Sequence, residues 1–206
     1  MYQASDAIGE SLTFPALFTW AATLAKSPRA FFKSMAKSGG YLTPVLTLAF
    51  WSFASSVVSF LVGFVRPSAA AGPVGLRLAG VIISPLIGLL VGFILSAVLF
   101  VVWHLMGSRE NFQAAFRVWS FISPVWAVGA LLGVVPYLSV LNLVAAFLLV
   151  ILASEEVHGL PKARSWTTWS LIAAGVVLLG FVGFLFQQAT RGAAPNYFPP
   201  RPAVRR

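Results

Sequence analysis

The stretch VWSFISPVWAVGALLGVVPYLSVLNLVAAFLLVILAS, Val118 to Ser154, runs 37 residues without a formal charge. As one helix it would reach about 55 Å at roughly 1.5 Å per residue, nearly twice the ~30 Å hydrocarbon core of a bilayer. It must therefore fold back. Val135, Pro136 and Tyr137 sit near its middle, and proline removes a backbone donor and ends helices. The reading is two spans, 117–135 and 137–154, joined by a tight turn. Working outward, Thr43 to Val65, Leu78 to Gly107 and Ser165 to Thr190 are charge-free too, and each is long enough to cross. They give spans at 43–65, 79–106 and 166–187. The expected fold is an all-α membrane protein, a five-transmembrane-helix bundle preceded by an amphipathic interfacial helix. Its parts are an N-terminal segment 1–42, the bundle 43–188, and a Pro/Arg-rich tail 189–206.

Composition agrees. Hydrophobic residues make up 59% of the chain and charged residues 9%, with mean hydropathy +0.89, whereas a soluble domain carries roughly 25% charged residues. Cysteine is absent, which excludes disulfides, thiolate metal sites and thiol nucleophiles. The net charge of +9 does not argue for nucleic acid, because the basic residues border apolar spans, where anionic headgroups and the positive-inside rule account for them. Asp6 and Glu10 interrupt what would be a secretory signal, so the first span is expected to serve as an uncleaved anchor.

The basic residues also orient the chain. Lys26, Arg29, Lys33 and Lys37 precede the first span, Arg109 and Arg117 follow the second, and Lys162 and Arg164 follow the fourth. With five spans these share one side, while Arg66 and Arg77 lie opposite, predicting a cytoplasmic N-terminus and an external C-terminus. The apolar run Leu12 to Ala25 is too short to cross and is expected on the membrane surface. Ser27 and Pro28 read as N-cap and first residue of a helix that Gly39 and Gly40 should stop. Within it Arg29, Lys33 and Lys37 recur every four residues, with Phe31 and Phe32 supplying an apolar side. An in-plane membrane helix on anionic headgroups is favoured over a basic face packed on the bundle.

Gly80, Ser84, Gly88, Gly92 and Ser96 form a stripe of small residues four apart in the second span, and Gly129 and Gly133 form a shorter one in the third. Such stripes let helices approach closely where lipid supplies no hydrophobic drive between them. Bundle packing is favoured over a homo-oligomer interface. Pro85 and Pro124 each follow a serine, Ser84 and Ser123. Both are expected kinks whose freed carbonyls serine or water can satisfy. Asn142 is the clearest polar side chain deep in a span and reads as an interhelical hydrogen-bonding group.

Candidate chemistry lies at the edges. His104 is near a span end. Glu155, Glu156 and His158 close the fourth span, with Glu155 and His158 at a spacing that metal ligands use. Two ligands do not make a site, so the expected role is ion pairing with Lys162, Arg164 or the Arg109 to Arg117 break. No nucleophile elbow, phosphate loop or paired-carboxylate arrangement is visible. The expectation is no enzyme activity, cofactor or metal.

Taken in order, Ser27-Pro28-Arg29-Ala30-Phe31-Phe32, Gly39-Gly40-Tyr41-Leu42-Thr43-Pro44, His104-Leu105-Met106-Gly107 followed by Phe112, Phe116 and Arg117, Ser123-Pro124, and Glu155-Glu156-Val157-His158-Gly159-Leu160 followed by Lys162-Ala163 resemble the Yip-domain membrane proteins, named for interaction with Ypt/Rab GTPases. The chain differs in having Gly107-Ser108 where the family often has two glycines, and Phe121 where it often has tyrosine. The resemblance covers about residues 27–187 and is greatest to compact prokaryotic members. It implies a bacterial or archaeal cytoplasmic membrane, or endoplasmic reticulum and Golgi in a eukaryote, the only setting in which a Rab-type GTPase partner is implied. The leading functional expectation is a non-enzymatic membrane-organising or trafficking-type adaptor with a membrane-protein partner or a second copy. The alternative is a small lipid or solute transporter built on the kinked second and third spans.

Overall fold

The computed structural model describes residues 12–65, 73–135 and 138–192. Eight helices follow in chain order: α1 Phe14–Lys26, α2 Pro28–Ser34, α3 Leu42–Val65, α4 Val74–Leu105, α5 Phe112–Ile122, α6 Pro124–Leu132, α7 Ser139–Glu156 and α8 Lys162–Gly192. The chain divides into two compact units, 1–167 and 168–206. In the second, α8 continues as a helix exposing Leu171, Val177, Leu179 and Phe186.

Among the described residues four helical stretches are long and apolar enough to cross a membrane: Leu42–Val65, Val74–Leu105, Phe112–Leu132 and Lys162–Gln188. Their outer faces explain why the chain needs a bilayer. Leu86 in the middle of α4 is 70% exposed, as are its neighbours Ile82 and Leu90 by similar amounts, a contiguous apolar surface that only lipid can solvate. This is a multi-pass membrane protein. The segment expected as the fourth span is α7, 18 residues ending on Glu155 and Glu156. The Pro136 turn lies outside the described residues, as do Arg66 and the tail from residue 193.

Within the first unit α3 packs on both α4 and α6, α4 on α5, and α6 on α7. The α4 stripe works in its central part. A Cβ at Gly88 would collide with Ser52 of α3, and one at Gly92 with Leu48 of α3 and, less closely, with Trp119 of α5, while Ser96 is fully buried. The stripe thus serves two neighbours along its length. Two expected packing glycines show no close approach to another helix at the Cβ position. Gly80 has open space there, and a Cβ at Gly133 would meet backbone oxygens of its own turn at the end of α6. Gly129 does make a close approach, to Asn142 of α7.

The two Ser-Pro pairs share one local solution. Pro85 has no N–H for the Val81 carbonyl, and the Ser84 hydroxyl donates to that oxygen at 2.8 Å. Pro124 leaves the Ser120 carbonyl without its donor, and Ser123 Oγ donates to it at 2.6 Å. The outcomes differ. The α4 helix runs through Pro85 without interruption, whereas the chain is divided at Ser123 into α5 and α6.

Two boundaries correct the sequence reading. The α4 helix starts at Val74, so Arg77 lies inside it rather than in a loop; its Nη2 donates to the Phe60 carbonyl at 2.8 Å and its guanidinium stands over the rings of Phe60 and Phe64. The α5 helix starts at Phe112, with the Asn111 side chain accepting from the Ala114 N–H as its cap, so Arg117, the first residue of the expected span, lies in the middle of the helix. Apolar run length missed both because an arginine can lie within a helix when its guanidinium finds carbonyls or rings.

Candidate functional site

At one end of the bundle the chain gathers three polar segments far apart in sequence: residues 27–41, the α4–α5 link around Gly107 to Asn111, and the α7–α8 link around Val157 to Pro161. The α2 helix begins with Pro28 at its first position, where a missing N–H costs nothing. It ends sooner than Gly39 and Gly40 suggest, because Met35 is already extended (φ −68°, ψ 129°). Lys37 therefore lies beyond the helix and does not continue the Arg29 and Lys33 face. Phe31 and Phe32 are fully buried in the protein, with the Phe31 ring edge-on to Phe32 and to Phe121 of α5. They cannot meet the acyl boundary. The packed basic helix is what the structure contains, with Lys26 and Lys33 exposed.

Arg117 explains the early stop. It counts among the basic residues expected at the cytoplasmic face, and it is fully buried in α5. Its Nη1 donates to the Ala36 carbonyl at 3.1 Å and its Nη2 to the Gly40 carbonyl at 3.3 Å, so one guanidinium ties down the strap between α2 and α3. Gly39, at φ 111°, passes so close that a Cβ there would lie 3.1 Å from Arg117 Nη2. Both its backbone angle and that contact call for glycine.

Ion pairs join the three segments. Arg29 Nη2 meets Glu155 Oε2 at 2.7 Å and its Nη1 meets Glu156 Oε1 at 2.8 Å, a forked geometry suited to arginine. The Glu155 hydrogen bond and charge, and then Glu156, raise the arginine's pKa further. Trp166 Nε1 donates to the free side of the cluster at Glu155 Oε1, 3.1 Å. Lys37 Nζ meets Glu110 at 2.7 Å. The expected partners of Glu155 and Glu156 are thus replaced by Arg29, on the same side of the bundle. Arg164 instead donates to the Met106 carbonyl at 2.8 Å, facing Gly107, which is held at φ 92°. Arg109 and Lys162 are exposed.

His158 is the buried centre of this end. Its ring stacks on Trp103 with centroids 3.9 Å apart, and its Nδ1 lies 2.8 Å from Ser108 Oγ, which also accepts from the Glu110 N–H. Trp103 Nε1 donates to Ser154 Oγ at 2.7 Å, and Ser154 donates to the Val150 carbonyl. Burial, and secondarily the Lys37 charge, push the His158 pKa down to about 3, so the ring is neutral. Its side chain turns to Ser108 and Trp103 rather than joining Glu155, and among the described residues no group of three or more His, Cys, Asp or Glu could hold a metal ion. His104 is exposed at the end of α4, beside the Phe100 ring.

The sequence reading missed Trp103, Ser108 and Ser154. The signal for Trp103 was the helical phase: it precedes the exposed His104 and turns inward as that neighbour turns out.

A search among curated proteins and solved structures returns no match. The Yip1 domain matches residues 12–185, a range that holds every helix of the first unit and every residue of the polar end. The chain belongs to the Yip1 family.

Proposed function

We propose that the chain crosses the bilayer five times, with its N-terminus and polar end in the cytoplasm and its C-terminus outside, and acts there as a non-enzymatic scaffold or adaptor. Five crossings are supported by α7, whose 18 residues span about 27 Å. They are supported also by the bonds of Arg29 to Glu155, Lys37 to Glu110 and Ser108 to His158, which require α4 and α7 to return to the end that α3 and α5 leave. A cytoplasmic polar end agrees with its concentration of basic residues.

The observation that carries the scaffold reading is the polar end itself. Its internal charges are spent on one another or on backbone carbonyls, so the segments form a fixed platform. Lys26, Lys33, Arg109 and Lys162 are exposed, and among the described residues they make no ion pair. They are the groups available to anionic headgroups, to a membrane-protein partner or to a second copy. The resemblance read from the sequence is greatest to compact prokaryotic members, so the proposed setting is a bacterial or archaeal cytoplasmic membrane; a Rab-type GTPase enters only in a eukaryotic cell, on endoplasmic reticulum or Golgi.

The test is photocrosslinking in intact cells from residues introduced at Lys33, Arg109 and Lys162, with an unrelated five-span protein as control. A reproducible protein captured from these positions, and not from exposed positions on α4, supports the adaptor. Capture of lipid alone at all three would overturn it. Cysteines placed at Lys33 and Val135, in a chain with none of its own, should be labelled from opposite sides of the membrane.

A further inference from the structure

Arg77 is a cation at the end of the bundle that has no described acid. The sequence holds no Asp or Glu between Glu10 and Glu110. The three acids among the described residues, Glu110, Glu155 and Glu156, sit at the polar end and are paired with Lys37 and Arg29. Arg77 stands at the other end of α4, in its first turn. The guanidinium is held in place there. Its Nη2 donates to the Phe60 carbonyl at 2.8 Å, it lies 5.3 Å and 5.1 Å from the ring centres of Phe60 and Phe64, and Gly63 leaves it room where a Cβ would collide with it. One carbonyl occupies one of its five N–H donors. Phe60 lies about 27 Å along α3 from Leu42, which sets the guanidinium near the far edge of a hydrocarbon core of about 30 Å, at the level of lipid headgroups.

A cleft of about 340 Å³ runs from Arg77 toward the membrane interior between α3 and α4, lined by Ser56, Ser59, Phe60, Arg77, Gly80 and Val81. Ser59 is exposed, and Ser56 and Arg77 are half-buried. Ser55 and Ser84 spend their hydroxyls on the Trp126 and Val81 carbonyls, whereas Ser56 and Ser59 make no such bond among the described residues. Gly80 keeps the cleft open, because the space at its Cβ position is empty. We propose that this cleft binds the headgroup of an anionic glycerophospholipid from the leaflet at the α3–α4 link. The phosphate lies on the Arg77 guanidinium, whose paired N–H groups suit phosphate oxygens. An ester carbonyl accepts from Ser59 or Ser56, the latter one helical turn, about 5 Å, deeper. A glycerophospholipid presents its polar groups in that order, phosphate outermost and ester carbonyls below. Free phosphate is a poorer occupant, because Phe60 and Val81 in the wall and the exposed Leu78 and Ile82 beside it favour a ligand that brings hydrocarbon with it. A zwitterionic headgroup is poorer too, because it sets a second cation beside Arg77. The site lies away from the polar end and is independent of the adaptor reading.

The test uses the full chain in phosphatidylcholine liposomes with a trace of alkyne-tagged phosphatidylglycerol, its photoactivatable group near the glycerol, and separately with diacylglycerol of the same chains and tag. The phosphatidylglycerol probe should label peptides around Ser56 to Phe60 of α3 and the start of α4. Unlabelled phosphatidylglycerol should displace it and inorganic phosphate should not. Arg77→Gln should reduce labelling there about tenfold or more, the worth of a hydrogen bond to a charged group, while labelling at the polar end by the same probe stays unchanged. Gly80→Leu keeps the guanidinium and fills the cleft, and should reduce labelling as much; it decides the matter if Arg77→Gln fails to fold. Equal labelling by diacylglycerol, displacement by inorganic phosphate, or full labelling of either folded variant would each overturn the proposal.

Discussion

Replacing His158 by phenylalanine should flatten the dependence of stability on pH between 8 and 5. His158 is 6% exposed, and its pKa is pushed down to about 3, by burial first and by Lys37 second. The groups facing it are the Trp103 ring, the Ser108 hydroxyl and, through charge, Lys37, itself paired with Glu110. In the unfolded chain the ring takes up a proton near pH 6.5. Between that value and about 3 the unfolded state holds one more proton than the folded state, so stability rises with pH. It is fully present above about 6.5 and is lost as pH falls toward the folded value. The limiting slope is about 1.4 kcal/mol per pH unit, and from pH 8 to pH 5 the loss comes to about 2 kcal/mol. Denaturant unfolding in mild detergent, followed by tryptophan fluorescence, measures this above the range where most carboxylates titrate. Phenylalanine keeps a ring against Trp103, gives up the Ser108 hydrogen bond at every pH, and should reduce the pH-dependent part to below about 0.5 kcal/mol. An unchanged slope in His158→Phe would refute the reasoning and assign the proton elsewhere.

Gly88→Leu should destabilise the protein by about 1–3 kcal/mol through overpacking against Ser52, whereas Gly80→Ala, with open space at the same stripe, should be neutral or slightly stabilising in the same unfolding assay. Ser84→Ala should cost about 1 kcal/mol by exposing the carbonyl that Pro85 cannot satisfy, and combining it with Pro85→Ala should recover that loss by restoring the N–H; equal costs with and without proline would contradict the local explanation. Arg117→Met should cost about 2–3 kcal/mol and make the strap from Met35 to Tyr41 the first site of limited proteolysis, with the helices beyond it still protected.

The apolar helices were legible because membrane spans need little more than length and absence of charge. The 117–135 segment was found where Phe112–Leu132 lies, and 43–65 where Leu42–Val65 lies. What eluded sequence reasoning was the destination of individual charges. Periodicity placed Arg29, Lys33 and Lys37 on one helical face, but hydrogen bonds to Arg117 draw the backbone out of the helix before Lys37. Spacing grouped Glu155 with nearby Lys162 and Arg164, yet its ion-pair partner, Arg29, lies 126 residues away. Local pattern carries no information on such long-range pairs. At the Ser-Pro pairs, of the two donors expected for the freed carbonyl, serine or water, the serine hydroxyl makes the bond, because proline's missing donor and serine's hydroxyl are neighbours in the chain.

The distribution of polar groups follows from the solvent. Between helices in lipid there is no hydrophobic drive, so apolar faces alone do not select one arrangement over another. Close backbone approach at Gly88, Gly92 and Gly129 gives contact, but small-residue surfaces tolerate sliding. Register needs directional bonds, and these are least costly at an interface, where a charge that fails to pair can still reach water. The polar end meets that need three times over. Arg29 fixes α2 to the end of α7, Arg117 fixes the strap to α5, and Arg164 fixes the start of α8 to the end of α4. The same bonds that align the helices also order the platform, so a variant that loosens one of them should disturb helix register and partner capture together.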